Sequence, residues 1–279
     1  MLRSAFPKAV PVLFGTPSMS EAPRTPADFS EILAGDEPPL IVGGQAVNLW
    51  AEIYASQSPT LDAYAPFTSA DADIYGTRAL AETLAKRNGW ECHFTNDPHS
   101  AAVAILVKPE RNNEPTLTIE VLNEVNGLTE NDLNMSTTIE LENGTHYRTP
   151  SPLVLFKAKL YNLVSLANMD RPQDIRHARM LMQIIPLYFT ELAAEHRAGR
   201  ISEANLLGAV RYAGEVVLAP FAGNAARSHG LDLDELFPLS LRLPGPLDVQ
   251  IAINEICREV RIILGKPPAL QSPKATPTA

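Results

Sequence analysis

Residues 40–50 read LIVGGQAVNLW, and this stretch decides how the predicted fold begins. The apolar triplet Leu40–Val42 predicts a buried strand, and Gly43 and Gly44 predict a turn. Residues 45–54 carry apolar side chains at helical spacing, which predicts an amphipathic helix. The first N–H groups of a helix have no partner within the helix, and glycine allows an anion to approach them closely. The turn between strand and helix is therefore a candidate phosphate-binding site.

Two neighbouring acids follow in the sequence TSADADIY, residues 68–75. The end of this segment, residues 72–75, predicts a strand, and residues two apart on a strand face the same side, so Asp71 and Asp73 are expected to lie side by side. Like charges held together are unfavourable unless a cation lies between them, which makes the pair a candidate divalent-metal site. The same short motif also occurs at exposed edges without a function, so the pair alone does not decide between the two.

A third acid, Glu120, lies within the alternating sequence TIEVL, residues 118–122. The alternation predicts a strand with Glu120 on one face and Ile119 and Val121 on the other. A charged side chain in a predicted central strand is unusual unless it has a partner. Glu120 is therefore a candidate member of the same site as the two aspartates.

The character of the chain changes near Pro152, where mixed strands and helices give way to helices alone. The predicted helices after this point cover residues 153–168, 172–185, 187–197, 202–218 and 248–264. We therefore expect an α+β fold, with a mixed-sheet domain over residues 26–150 followed by a helical domain over 151–265. The proline-rich ends, residues 1–25 and 266–279, are expected to be disordered.

Charge is distributed unevenly along the 279 residues. Residues 1–149 carry 9 Lys and Arg against 20 Asp and Glu, whereas residues 150–279 carry 14 against 12. Lys and Arg drive binding to phosphate backbones, so the acidic half is not expected to bind nucleic acid over a broad surface. No apolar run approaches the length of about 18 residues that a membrane span requires, so no membrane partner is expected. Two distant cysteines, Cys92 and Cys257, are typical of reduced thiols in a cytoplasmic protein.

Several segments resemble the nucleotidyltransferase superfamily with the fold of DNA polymerase β, namely VGGQAVNLW, SADADIYG and LTIEVLNEVNGL. The later segments SPLVLFKAKLYNL and RPQDIRHARML are similar to the helical part of the AbiEii-type nucleotidyltransferases, which are known from type IV toxin–antitoxin systems. The resemblance covers about residues 38–185. It implies a mixed-sheet nucleotidyltransferase domain followed by an α-helical region.

The resemblance also implies a role for each matching residue. Asp71, Asp73 and Glu120 would be the catalytic acids and would hold Mg²⁺ or Mn²⁺, with Glu120 nearest the attacking hydroxyl. Asp174 and Arg171 would belong to the helical motif of the family. The residues expected to contact the nucleoside triphosphate (NTP) are Gly43, Gly44, Gln45, Ser69 and Lys159.

Three features of the sequence depart from the family pattern. Gln45 stands where many members have a small hydroxyl residue, and the third acid is Glu120 where Asp is more common. The spacer between the glycines and the aspartates is long, and we expect residues 51–67 to be an inserted loop.

The activity implied by the resemblance is metal-dependent transfer of a nucleoside monophosphate (NMP) from an NTP to an acceptor. RNA and protein are the candidate acceptors, and a toxin-like role with an antitoxin protein as partner is implied as well. Two alternatives stay open. The chain could be a catalytically silent module that binds a nucleotide or a partner, or an α/β scaffold in which Asp71 and Asp73 share no role.

Other candidate residues have a structural interpretation. Lys157 and Lys159 lie two residues apart on a predicted helix and face different sides, so one of them is expected to reach solvent. His177 lies three residues after an acid, a spacing common on exposed helices, and is not expected to be catalytic. Trp50 and Trp90 are expected to be core residues.

Overall fold

The computed structural model describes residues 23–97, 99–109, 116–141, 143–166, 171–238, 241 and 245–266. Most of the two ends predicted to be disordered therefore lie outside the described residues. Arg24 is an exception, because it exchanges two backbone hydrogen bonds of 2.9 Å with Ser69. This bridge brings the end of the predicted lead next to the candidate aspartates.

The described strands form one mixed sheet in the order β3-β4-β5-β2-β1-β7-β6. The seven strands are β1 (Leu40–Val42), β2 (Ala72–Tyr75), β3 (Glu91–Phe94), β4 (Ala102–Val107), β5 (Thr118–Leu122), β6 (Ser136–Glu140) and β7 (His146–Pro150). Two neighbouring pairs, β2 with β5 and β1 with β7, are parallel, and the other four are antiparallel. The apolar run over residues 101–107 also predicts a strand, so that β1, β2, β4 and β5 were located within one residue, whereas β3, β6 and β7 were missed.

Strand β2 lies in the middle of the sheet and determines which side chains face the core. Ala72 and Ile74 are fully buried on one face, and Ile119 and Val121 of β5 are fully buried as well. The intervening Asp73 has Glu120 of β5 as its partner in register. The alternation predicted for β5 is confirmed, and it leaves two acids side by side on the face opposite the main core.

The helices begin and end at local sequence signals. The described helices are α1 (Ser30–Leu33), α2 (Gly43–Tyr54), α3 (Pro59–Asp62), α4 (Arg78–Asn88), α5 (Glu130–Asn134), α6 (Pro152–Ser165), α7 (Pro172–Arg197), α8 (Glu203–Leu218), α9 (Pro220–His229) and α10 (Leu247–Ile263). For example, the Thr77 hydroxyl accepts from the N–H of Leu80 at the start of α4, and Gly89 ends that helix with φ +68°. Short 3-10 turns cover Pro26–Phe29, Ala55–Gln57 and Leu233–Leu236.

One hydrophobic core runs through both parts of the chain. The same buried cluster contains Ile74 of the sheet, Phe156 of α6 and Phe189 of α7. Trp50 on α2 is buried as predicted, and its Nε1 donates to the Pro150 carbonyl over 2.9 Å. The predicted boundary near residue 150 is therefore a change in secondary structure across which the core continues.

Two predicted elements differ in the structure. The helix predicted to stop before Pro186 continues through it, so that Pro172–Arg197 is a single helix with Ile185 and Phe189 buried on either side of the proline. Residues 51–67 were expected to be an inserted loop. The helix predicted to end at Tyr54 does end there, but α3 follows it and Leu61 is fully buried, so the rest of the spacer packs into the core.

A buried ionic cluster around Asp132 ties α5 to α6 and α8. Its carboxylate accepts from Lys157 Nζ over 2.8 Å, from the Tyr212 hydroxyl over 2.6 Å and from the backbone of Thr129 over 2.7 Å. Burial raises the pKa of Asp132, but these hydrogen bonds outweigh it and bring the pKa to about 2. Lys157 is therefore an ion-pair partner between helices.

Among the described residues, no single helix is both long and apolar enough to cross a membrane. Only α8 and α9 taken together reach the required length and hydropathy, and they are bent by 66° relative to each other.

Candidate functional site

The predicted catalytic acids line one cavity of about 410 Å³ between the sheet and the start of α7. The sheet contributes the acids, α2 contributes its glycine start, and α6 and α7 contribute basic and polar groups. The lining residues are Gly44, Ser69, Asp71, Asp73, Glu120, Lys159, Arg171, Pro172, Gln173, Asp174 and His177. Residues that are far apart in the sequence therefore meet here.

Three carboxylates give the sheet side of the cavity its negative charge. Asp73 and Glu120 are register partners on the parallel strands β2 and β5, and Asp71 precedes β2 by one residue. Burial, and then the charges of Asp71 and Glu120, raise the pKa of Asp73 to about 7. The nearby Lys159 lowers it without cancelling this effect. Asp73 is therefore held where its negative charge is unfavourable, which is the condition a bound cation would relieve.

The first two glycines of α2 allow the helix start to lie against the acids. Gly43 has φ +66°, a left-handed conformation that favours glycine. A Cβ at Gly43 would overlap the carboxylate of Asp73, and a Cβ at Gly44 would lie 2.6 Å from Ser69 Oγ and 3.0 Å from His177 Cε1. Gly43 therefore requires glycine, and a side chain at Gly44 would have to displace Ser69 or His177, so the start of a 12-residue helix lies against a crowded, polar wall.

A buried ion pair fixes the basic group of the cavity. Lys159 on α6 has 9% of its side chain exposed, and its Nζ donates to Asp174 Oδ1 over 2.7 Å. Arg171 donates to the other oxygen of the same carboxylate. Burial raises the pKa of Asp174, but Lys159 and Arg171 overcome this effect and the pKa lies below its usual value. Asp174 is therefore ionised and holds both cations at the edge of the cavity.

Two residues of α7 that the prediction left outside the site also line the cavity. Gln173 Nε2 donates to the Thr68 carbonyl over 3.0 Å and lies 3.1 Å from His177 Nε2. His177 is 1% exposed. The sequence RPQDIRH gave one indication of this, since residues 173 and 177 are four apart and therefore lie on the same face of α7 near its start. The spacing that is common on exposed helices is therefore found here on a buried face, and the prediction that His177 is not catalytic stays a prediction.

The structure brings most, but not all, of the predicted site residues together. Asp71, Asp73, Glu120, Gly44, Ser69 and Lys159 line the cavity, and Gly43 lies directly against Asp73. Gln45 does not line it. Its side chain is fully buried, donates to the Arg24 carbonyl over 3.1 Å and accepts from Asn48 over 3.2 Å. These bonds point to a structural role for Gln45 in joining α2 to the segment before the first helix.

The chemistry of the carboxylates fits a cation that binds together with phosphate. Among the described residues, no group of three or more His, Cys, Asp or Glu side chains is arranged to hold a metal ion by itself. Mg²⁺, however, is usually bound by one or two carboxylates together with waters and substrate phosphates. Asp71, Asp73 and Glu120 supply oxygen ligands of this kind beside a helix start that suits phosphate.

A larger groove of about 800 Å³ lies between α8 and α10. It is lined by acids and bases of both helices, including Arg211, Glu215, Glu255 and Arg258. None of the predicted site residues lines it, and its size alone does not indicate a function.

Comparison of the chain with protein-family models, with curated proteins and with solved structures found no match. The functional argument therefore depends on the cavity and on the sequence motifs that form it.

Proposed function

We propose that the chain is a metal-dependent nucleotidyltransferase that moves an NMP from an NTP to an acceptor hydroxyl. The observation that carries the proposal is the meeting of three carboxylates, a glycine helix start and a buried lysine in one cavity. These groups come from β2, β5, α2 and α6. The resemblance to the nucleotidyltransferase superfamily implies catalysis by the three acids and contact with the NTP by the glycines and the lysine.

Each side of the cavity has a distinct task in the proposed reaction. The N–H groups at the start of α2 would bind phosphate oxygens of the NTP, with Gly43 and Gly44 allowing close approach. Lys159, held by Asp174, would add a fixed positive charge to the same phosphates. Both groups position the triphosphate without being consumed, so their contribution is orientation and charge neutralisation.

The acids face the reacting bonds in this arrangement. Asp71, Asp73 and Glu120 would hold Mg²⁺ or Mn²⁺, which would stabilise the attacking and the leaving oxygens of an in-line displacement. The acceptor oxygen would form a bond to the α-phosphorus while the bond from that phosphorus to pyrophosphate breaks. Glu120, which the resemblance implies to be nearest the attacking hydroxyl, would accept its proton.

The candidate acceptors, RNA and protein, are those that the resemblance implies. A toxin-like role with an antitoxin protein as partner is implied in the same way.

The proposal is tested by following two labels of the same nucleotide. Purified protein is incubated with Mg²⁺, a total RNA or protein extract and each NTP labelled at either the α- or the γ-phosphate. We expect α-label to appear on an acceptor and γ-label to be released, because nucleotidyl transfer releases pyrophosphate. Asp73→Asn should abolish the transfer, with Asp62→Asn on the exposed face of α3 as the matched control. Transfer of γ-label would indicate a kinase.

A second candidate function is a catalytically silent module that binds a nucleotide or a partner. It is favoured by the absence of a three-ligand metal cluster among the described residues and by the burial of Gln45 away from the cavity. NTP binding without transfer of α-label, with Mg²⁺ or with Mn²⁺, would select this alternative.

A further inference from the structure

His177 is a buried polar side chain in the cavity wall, and one of its two ring nitrogens lacks a hydrogen-bond partner among the described residues. This nitrogen is Nδ1, and the side chain is 1% exposed. Buried nitrogen atoms of this kind normally have a partner, so an unsatisfied one in the wall of a cavity requires an explanation, and a ligand bound in the cavity would supply the missing partner. The ring lies next to the start of α2, since a Cβ at Gly44 would be 3.0 Å from His177 Cε1.

The neighbour of His177 determines which ring nitrogen carries the proton. The Thr68 carbonyl can only accept, so Gln173 must turn its Nε2 amide toward that oxygen, 3.0 Å away. The second N–H of the same amide group is then available to His177 Nε2, 3.1 Å away. An Nε2 that accepts cannot carry a proton, so a neutral His177 is protonated on Nδ1. The unpartnered nitrogen is therefore an N–H donor.

The surroundings also keep the ring neutral. Burial, followed by the positive charges of Lys159 and Arg176, holds the pKa of His177 well below its usual range. A neutral Nδ1–H donor beside Lys159 adds a hydrogen bond without adding a second buried positive charge.

We infer that His177 Nδ1–H donates a hydrogen bond to a phosphate oxygen of the NTP held at the start of α2, and that Gln173 fixes the tautomer required for it. The inference rests on the proposed function and extends it by two positioning residues of α7. Its basis is the juxtaposition of the unpartnered nitrogen, the glycine helix start, and the Thr68–Gln173–His177 chain of hydrogen bonds.

The test uses the full chain and binding as its readout. Isothermal calorimetry measures the affinity for tripolyphosphate and for each NTP, all with Mg²⁺. His177→Leu removes the donor, whereas His177→Asn places an amide N–H near the position of Nδ1. We expect the leucine variant to bind about 10- to 100-fold more weakly, since a hydrogen bond to a charged group is lost, and the asparagine variant to bind within a few-fold of wild type. His196→Leu, at the far end of the same helix, is the matched control.

A spectroscopic measurement separates the tautomer from general packing effects. ¹⁵N NMR of histidine-labelled, ligand-free protein should show His177 neutral and protonated on Nδ1 at pH 6. Gln173→Leu should remove this preference and weaken binding of tripolyphosphate. The measurement also applies if a His177 variant fails to fold.

The outcomes distinguish this inference from the proposed function. The inference would be overturned if His177→Leu bound tripolyphosphate and NTP with the affinity of wild type, or if the NMR spectrum showed a ring protonated on Nε2. Either result would leave the nucleotidyltransferase proposal standing. Failure of the wild-type chain to bind any NTP or tripolyphosphate would overturn both.

Discussion

Replacing Asp73 with Asn should stabilise the protein in the absence of metal, and more so at higher pH. The pKa of Asp73 is raised from 3.8 to about 7. Between these two pH values the folded protein therefore keeps a proton on Asp73 that the unfolded chain has lost. Folding stability therefore falls as the pH rises from about 4 to 7. About three pKa units at 1.36 kcal/mol each give a penalty of about 4 kcal/mol above pH 7 and about 2 kcal/mol at pH 5.

The asparagine variant removes this penalty at nearly constant volume. Its free energy of unfolding, measured by urea denaturation with a chelator present, should exceed that of wild type by up to about 4 kcal/mol at pH 8. At pH 5 the difference in the free energy of unfolding between variant and wild type should be about half as large. Added Mg²⁺ should stabilise wild type at pH 8, because cation binding relieves the repulsion among the acids, and should stabilise the variant much less.

Asp62→Asn, at an exposed position, is the control for the loss of a carboxylate charge and should not show this excess stability over wild type. Two results would refute the reasoning. If Asp73→Asn and wild type have equal stability at pH 8 in chelator, burial and the neighbouring acids do not disfavour the charge of Asp73 as described. If Mg²⁺ stabilises both equally, the cation binds elsewhere.

Three further substitutions test other parts of the structure. Gly43→Ala should cost about 1–2 kcal/mol of stability for its left-handed conformation and weaken binding of Mg²⁺-NTP by displacing the nearby acid; unchanged calorimetric affinity would contradict this. Asp174→Asn should cost about 3–5 kcal/mol in urea denaturation because Lys159 stays buried without its partner, and adding Lys159→Met should recover much of this loss. Because the pKa of Asp132 lies near 2 in the folded protein, wild type should lose about 2 kcal/mol of its free energy of unfolding as the pH falls from about 5 to 2. Asp132→Asn should abolish this loss. If both proteins lose the same free energy of unfolding at low pH, the ion pair with Lys157 is contradicted.

Elements with strong local signals could be predicted from the sequence. Strand β1 is an uninterrupted apolar triplet that ends at two glycines, and α4 begins at Thr77 and ends at Gly89. In each case the signal is a property of a few consecutive residues. The three acids could be assigned for the same reason, since Asp71 and Asp73 are neighbours and Glu120 interrupts a regular alternation.

The missed strands lack a comparable signal. Strand β3 is mostly exposed, and β6 has the polar sequence STTIE with only Ile139 buried, since each lies at an edge of the sheet. An edge strand packs fewer side chains, so its pattern is weak. Their pairing with β4 and β7 is a tertiary interaction that the local sequence does not record.

Gln173 and His177 were missed for a different reason. Their spacing shows that they share a helix face, but the sequence does not show that this face meets Ser69 and Gly44. Gln45 illustrates the converse, because its position after the glycines predicts a phosphate contact while tertiary packing turns its side chain toward Arg24. Short motifs in the sequence indicated which residues were candidates for the site. Tertiary packing decided which of these side chains line the cavity.

The charge balance of the cavity has a consequence for the order of binding. Asp71, Asp73 and Glu120 face a space whose two basic groups, Lys159 and Arg171, are already paired with Asp174. A free triphosphate would bring further negative charge to these acids, and a free cation would bind them more weakly without phosphate oxygens to complete its coordination. The complex of cation and triphosphate meets both requirements at once. We therefore expect Mg²⁺ and NTP to increase each other's affinity, an effect that by linkage must be equal in both directions.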